Sequence, residues 1–70
     1  MLSDILLWRK IARIIMHLSQ RLDISPERAL DVFYESDVCT MIHEERYGLH
    51  LMSDLYVVDE IMLELQRKQG

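Results

Sequence analysis

The chain has 70 residues, of which about half are apolar and 29% are charged, the balance of a folded domain and not of a disordered one. This length suffices for one core, so a single domain spanning residues 1–70 is predicted. The sequence has no stretch near the roughly 18 apolar residues that a membrane span requires, and Ile5–Trp8 is too short for a signal peptide. Because Cys39 is the only cysteine, an internal disulfide is excluded and a cytoplasmic location is expected.

Charge is distributed unevenly over the chain, whose net charge is −4. Residues 1–28 carry five basic and three acidic side chains, a net charge of +2, whereas residues 29–70 carry three basic and nine acidic ones, a net charge of −6. An acidic chain is a poor candidate for nucleic-acid binding, but the basic first part keeps that function open.

The first predicted element is a helix from Asp4 to Leu22 with Ser3 as its N-cap. At 100° per residue its apolar side chains cover an arc of roughly 200°, which is wider than a helix lying on one neighbour needs. Either several helices pack around this arc, with Trp8 in the core, or part of it contacts another chain. The arc consists of Ile5, Leu7, Trp8, Ile11, Ala12, Ile14, Ile15, Met16, Leu18 and Leu22.

The opposite side of this helix contains no acidic residue, and we call it the basic face. It consists of Arg9, Lys10, Arg13, His17, Gln20 and Arg21. One interpretation is a solvated face that pairs with the acidic later part of the same chain. The others are binding of an acidic protein and binding of nucleic-acid phosphates.

Two further helices are predicted after a short connection. Ser25 is the N-cap of a helix from Pro26 to Glu35, because proline is favoured at the first helical position. Asp37 is the expected cap of a short third helix, Val38–His43. The order helix, tight turn, helix suggests a helix-turn-helix-like DNA-binding regulator as an alternative function, but the third helix has no Arg, Lys, Asn or Gln to read base edges.

The last part of the chain is predicted to contain a turn ending at Gly48, an extended segment Leu49–Met52 and a fourth helix, Asp54–Gln66. The fold class is therefore all-α, a small four-helix orthogonal bundle with one short extended segment. The core-facing arc of the fourth helix spans roughly 160°, and Tyr56 and Leu63 lie opposite it, which suggests a contact patch. The arc contains Leu55, Val57, Val58, Ile61, Met62 and Leu65.

No group of residues predicts a catalytic or metal site. Cys39, His43 and His50 lie close in the sequence, but a structural zinc site usually needs four ligands with paired spacing. A Cys–His pair also needs an orienting group and a cleft. With two glycines, the chain has no glycine-rich phosphate loop. We therefore expect no cofactor, no metal and no enzymatic activity.

Several segments resemble a family of short bacterial proteins of unknown function. The segments are Leu7–Ile14, Ile24–Leu30, Phe33–Tyr34, Tyr47–Leu49 and Leu51–Val58. Members of that family are often encoded beside a protein resembling an ADP-ribosyltransferase, an arrangement suggestive of a toxin and its neutraliser. The resemblance implies an antitoxin-like role and no catalytic residue.

Together these features predict a protein–protein interaction module. Its expected partner is a protein, which the resemblance suggests is ADP-ribosyltransferase-like, with a homo-oligomer as a further possibility; nucleic acid and membrane are not expected. The predicted partner-binding residues are Arg9, Arg13, His17, Arg21, Tyr56 and Leu63.

Overall fold

The structure, a computed structural model, describes residues 4–69. Its α-helices are α1 (Asp4–Leu22), α2 (Pro26–Glu35), α3 (Asp37–Ile42) and α4 (Asp54–Gln69). Two 3-10 helices, Glu45–Tyr47 and Leu49–Leu51, connect α3 to α4, and residues 4–69 contain no strand. The predicted all-α class is confirmed.

Local capping explains where α2 and α3 begin. The Ser25 hydroxyl accepts a hydrogen bond from the Arg28 backbone N–H at 3.2 Å, and α2 has its predicted bounds. The cap of α3 is Ser36 instead of the predicted Asp37, since the Ser36 hydroxyl accepts from the Cys39 backbone N–H. The predicted cap of α1, Ser3, lies outside the described residues.

The predicted extended segment Leu49–Met52 is wrong: residues Leu49–Leu51 form a 3-10 helix, and only Met52 is extended. Gly48 has a φ of 69°, a left-handed conformation that suits glycine and separates the two 3-10 turns. The backbone N–H groups of Leu51 and Met52 donate to the carbonyls of Gly48 and Leu49. Because no neighbouring strand within residues 4–69 can accept these bonds, they are made locally.

Helix α1 is the centre of the core and packs against both α2 and α4. Its side chains Ile14 and Leu18 are fully buried, as are Phe33 of α2 and Ile61 of α4. The core also contains Leu7, Ile11, Ala29, Val38, Ile42, Leu49, Val57 and Val58. No helix within residues 4–69 is both long enough and apolar enough to cross a membrane.

A buried carboxylate attaches α3 to α4. The two oxygens of Glu64 accept hydrogen bonds from the Asp37 backbone N–H at 3.0 and 3.1 Å, and Lys68 lies 3.0 Å from Oε2. An anion at a helix N-terminus is favourable because the first N–H groups lack helical partners. Glu64 therefore helps to position the short helix α3 against α4.

Candidate protein interaction site

The structure buries one residue of the basic face. Lys10, predicted on the exposed side of α1, is only 8% exposed. Its Nζ donates to the backbone carbonyl of Met52 and to Asp54 Oδ1, the latter at 2.9 Å. A lysine can be buried in this way because its stem is apolar and its ammonium donates to a carbonyl and to a carboxylate.

Two more cations of the basic face pair with α4. Arg13 Nε lies 2.7 Å from Asp54 Oδ2, and Arg21 lies 3.4 Å from Asp59. The hydrogen bond from Arg13 lowers the pKa of Asp54, and the one from Lys10 adds to this, although partial burial acts in the opposite direction. Lys10, Arg13 and Arg21 of the basic face therefore form ion pairs with acidic residues of α4.

The remaining predicted contact residues are Arg9, His17, Tyr56 and Leu63. Arg9 is exposed, and His17 is half-buried. Tyr56 and Leu63 are exposed as predicted and lie two turns apart on the same side of α4, and Asp59, the ion-pair partner of Arg21, lies about one turn from each. Arg21 therefore lies near Tyr56 and Leu63, whereas the ion pairs of Lys10, Arg13 and Arg21 reduce the charge that the DNA-binding alternative requires.

A larger apolar surface lies on α1 and α2. Trp8, predicted in the core, is 52% exposed, and its ring meets the His43 ring edge-on at a centroid distance of 6.3 Å. In helical projection Trp8 lies inside the wide arc, next to the half-buried Ile15, so its exposure depends on where the neighbouring helices pack and not on its position in the arc. We call this surface the α1–α2 face; its exposed members are Ile5, Trp8, Ala12, Met16, Pro26, Leu30 and Tyr34.

An open groove runs between α1 and α2 within this face. It has a volume of about 340 Å³ and is lined by Ala12, Ile15, Met16, Pro26, Glu27 and Leu30. Glu27 is the only ionisable residue in that lining. Apolar grooves of this kind favour the insertion of a large apolar side chain from a partner.

A smaller exposed apolar group precedes and begins α4. Leu51, Met52 and Leu55 are 79%, 42% and 55% exposed, although Leu55 was predicted to face the core. The core contacts of α4 come from Val57, Val58 and Ile61, which were predicted in the same arc and lie to one side of Leu55 around the helix.

The candidate chemical residues Cys39 and His43 lie in α3 and at its C-terminal cap. Within residues 4–69 no three His, Cys, Asp or Glu side chains are placed to hold a metal ion. Burial raises the pKa of Cys39, which favours the thiol over the nucleophilic thiolate. The His43 ring contacts Trp8.

Sequence reasoning identified the excess width of the α1 arc but not the residues that remain exposed. The missed residues on α2 are Pro26, Leu30 and Tyr34, which recur every four positions and so form one line along the helix. That spacing is the signal that could have identified them.

No family model matches the chain, and the comparisons with curated proteins and with solved structures found no match. The resemblance to a family of short bacterial proteins therefore stays a prediction.

Proposed function

We propose that the chain is a non-catalytic protein–protein interaction module that binds a protein surface through the α1–α2 face. The observation that carries the proposal is the apolar groove between α1 and α2, which Met16 lines, together with the half-exposed side chains of Trp8, one turn before Ala12, and Tyr34, one turn after Leu30. Contiguous exposed apolar surface on a small domain is costly unless a partner covers it. Aromatic and methionine side chains are also enriched in the centres of protein interfaces.

A pair of matched variants tests this assignment. Met16 and Leu63 are 49% and 51% exposed, but Met16 lines the groove and Leu63 lies on α4. Wild-type chain, Met16→Glu and Leu63→Glu would be immobilised, and the proteins retained from a host extract quantified by mass spectrometry. We expect Met16→Glu to lose the retained partner and Leu63→Glu to keep it.

The opposite pattern would assign binding to the α4 patch that the sequence suggested. Retention of no protein by the wild-type chain would contradict the proposal. Circular dichroism of each variant would establish that the added charge leaves the fold intact.

The partner suggested by the resemblance is an ADP-ribosyltransferase-like protein, which the module would neutralise or regulate in the cytoplasm. Support comes from the resemblance alone. Titration of such a neighbouring protein with the wild-type chain, followed by calorimetry and by an ADP-ribosylation assay, tests this part of the proposal. Heat without inhibition would indicate binding without neutralisation, and no heat would exclude this partner.

A further inference from the structure

We infer that the protein surface bound by the α1–α2 face is an amphipathic helix of another protein, with acidic side chains on one edge of its apolar stripe and basic side chains on the other. The inference rests on the proposed function and specifies the chemistry of the partner. Its basis is the spacing of the apolar side chains on the face and the opposite charges on its two long edges.

The exposed apolar side chains of the face form two rows with helical spacing. Residues in each row follow one another at intervals of three or four positions, and the groove lies between the rows. A third helix carries a row with the same spacing, which packs between two such rows as a ridge packs into a groove. The row on α1 is Ile5, Trp8, Ala12 and Met16, and the row on α2 is Pro26, Leu30 and Tyr34.

The backbone around the groove favours a helix over an extended peptide as the occupant. Both sides of the groove are α-helices, and residues 4–69 contain no strand, so this part of the chain has no strand edge with which an extended peptide could pair. An extended peptide in the apolar groove would leave some of its own N–H and C=O groups unpaired, whereas a helix pairs them internally.

The α2 edge of the face is acidic. Glu27 lines the groove, and Asp31 lies one turn further along α2. Both side chains are exposed, and at 100° per residue both lie beyond Leu30 as seen from the buried Ala29. Neither forms an ion pair within residues 4–69. A helix in the groove would therefore meet unpaired carboxylates on this side.

The α1 edge of the face is basic. Arg9 is exposed and lies seven residues before Met16, so in helical projection it falls about 20° beyond Met16, on the side away from the groove. It forms no ion pair within residues 4–69. Arg13 continues this edge one turn later and is 55% exposed, although its Nε pairs with Asp54. A helix with acidic residues toward α1 and basic residues toward α2 is therefore complementary to both edges.

A synthetic helix tests the inference. The probe is a peptide of about 14 residues, which at roughly 1.5 Å per residue spans the face. It has an apolar stripe of leucines at helical spacing, glutamates on one edge of the stripe, an equal number of lysines on the other, and a covalent staple on its outer side that holds it helical. In an NMR titration we expect saturable binding to the wild-type chain below roughly 1 mM, and loss of this binding in Met16→Glu.

Charge reversals on the two edges test the pairing. Arg9→Glu and Glu27→Lys should each weaken peptide binding roughly threefold to tenfold, because each places like charges opposite one another. The matched controls are Arg28→Glu and Glu35→Lys, which make the same changes of charge at exposed sites of α2 outside the face and should bind like the wild-type chain. Because the peptide carries as many lysines as glutamates, a change in the net charge of the chain alone should leave its affinity nearly unchanged.

The direction of the bound peptide gives an independent measurement. A second peptide, with its glutamate and lysine edges exchanged, matches the two edges of the face only when it lies in the groove the opposite way round. With a spin label at the N-terminus of each peptide, one should broaden the NMR signals near Ile5 and the other those near Met16. Binding by the apolar groove alone would not reverse the direction when the edges are exchanged.

Three results would overturn the inference: no peptide binding up to roughly 1 mM, charge reversals that act no more strongly than their controls, or two peptides bound in the same direction. Self-association of the wild-type chain that Met16→Glu abolishes would assign the face to a second copy instead. These failures can be separated from failure of the proposed function. If the peptides do not bind but Met16→Glu still abolishes retention of a protein from the host extract, the face binds a different kind of protein surface. If neither occurs, the proposed function fails as well.

Discussion

Lys10 Nζ and Asp54 Oδ1, from residues 44 positions apart in the chain, lie 2.9 Å apart and join the middle of α1 to the start of α4. The same ammonium donates to the Met52 carbonyl, so it holds the connection before α4 as well as its first residue. Asp54 is also well placed for the helix dipole in the first turn of α4. Lys10, a member of the basic face that was predicted to bind a partner, therefore joins two helices of the fold instead.

Replacing Lys10 with methionine should destabilise the fold by about 1.5–3 kcal/mol, because it removes two hydrogen bonds made by a buried cation. Urea unfolding followed by circular dichroism measures the change. The matched control is Arg28→Met, since the Arg28 side chain is exposed, and its effect should stay within about 0.5 kcal/mol. Equal effects of the two substitutions would show that the Lys10 contacts contribute little.

Asp54 should make stability depend on pH in acid. Its pKa lies below the ordinary value of 3.8, chiefly through the hydrogen bond from Arg13, so the folded chain resists protonation of this group more than the unfolded chain does. The stabilisation is fully present above pH 3.8 and is lost as the pH falls through the folded-state pKa.

Comparison of wild type with Asp54→Asn isolates this contribution from that of the other carboxylates. The difference in free energy of unfolding should shrink as the pH is lowered from about 5 to about 2. A difference that is constant over this range would contradict the assignment.

Replacing Glu64 with glutamine should destabilise the fold by about 1–2 kcal/mol and speed hydrogen exchange at the Asp37 amide. The amide side chain keeps one acceptor oxygen but loses the negative charge at the start of α3 and the pairing with Lys68. Glu60→Gln, at a half-buried position of the same helix, is the control. Unchanged exchange at Asp37 would mean that this carboxylate does not hold α3.

Truncation of Leu18 to alanine should destabilise the fold by about 2–5 kcal/mol, since the side chain is fully buried. A domain of this size rarely has more than roughly 3–5 kcal/mol of stability, so the variant should be largely unfolded at room temperature. Leu63→Ala, the same change at an exposed site, should have little effect. A cooperative, wild-type-like thermal transition for Leu18→Ala would contradict the described core.

The fluorescence of Trp8, the only tryptophan, should report on association. Its ring is half-exposed in the single chain, so the emission of the chain alone should be that of a hydrated indole and should shift to shorter wavelength when a protein partner covers the α1–α2 face. Leu63→Glu should keep this shift and Met16→Glu should abolish it. An emission maximum that stays unchanged when a partner binds would place Trp8 outside the interface.

Two regions show why some predictions succeeded and others did not. The start of α2 was predictable because Ser25 and Pro26 act on their own neighbours, through a cap and a fixed φ. The start of α3 was ambiguous because Ser36 and Asp37 are adjacent and both suitable caps. In the structure Ser36 is the N-cap of α3, and the Asp37 backbone N–H donates to Glu64 of α4. A contact between distant parts of the chain leaves no local pattern.

The amino-acid sequence by itself determined the helical class, the bounds of α1 and α2 and the excess apolar width of α1, since all of these depend on periodicity and on neighbouring residues. Only the tertiary structure decided which residues of that apolar arc stay exposed. It also decided which cations of the basic face are left without an ion pair inside the chain. Lys10 is buried because the start of α4 packs against it, whereas Trp8 stays half-exposed although Ile11 of the same arc is buried. The side of α1 against which α4 packs depends on contacts between helices, which the pattern of a single helix does not contain.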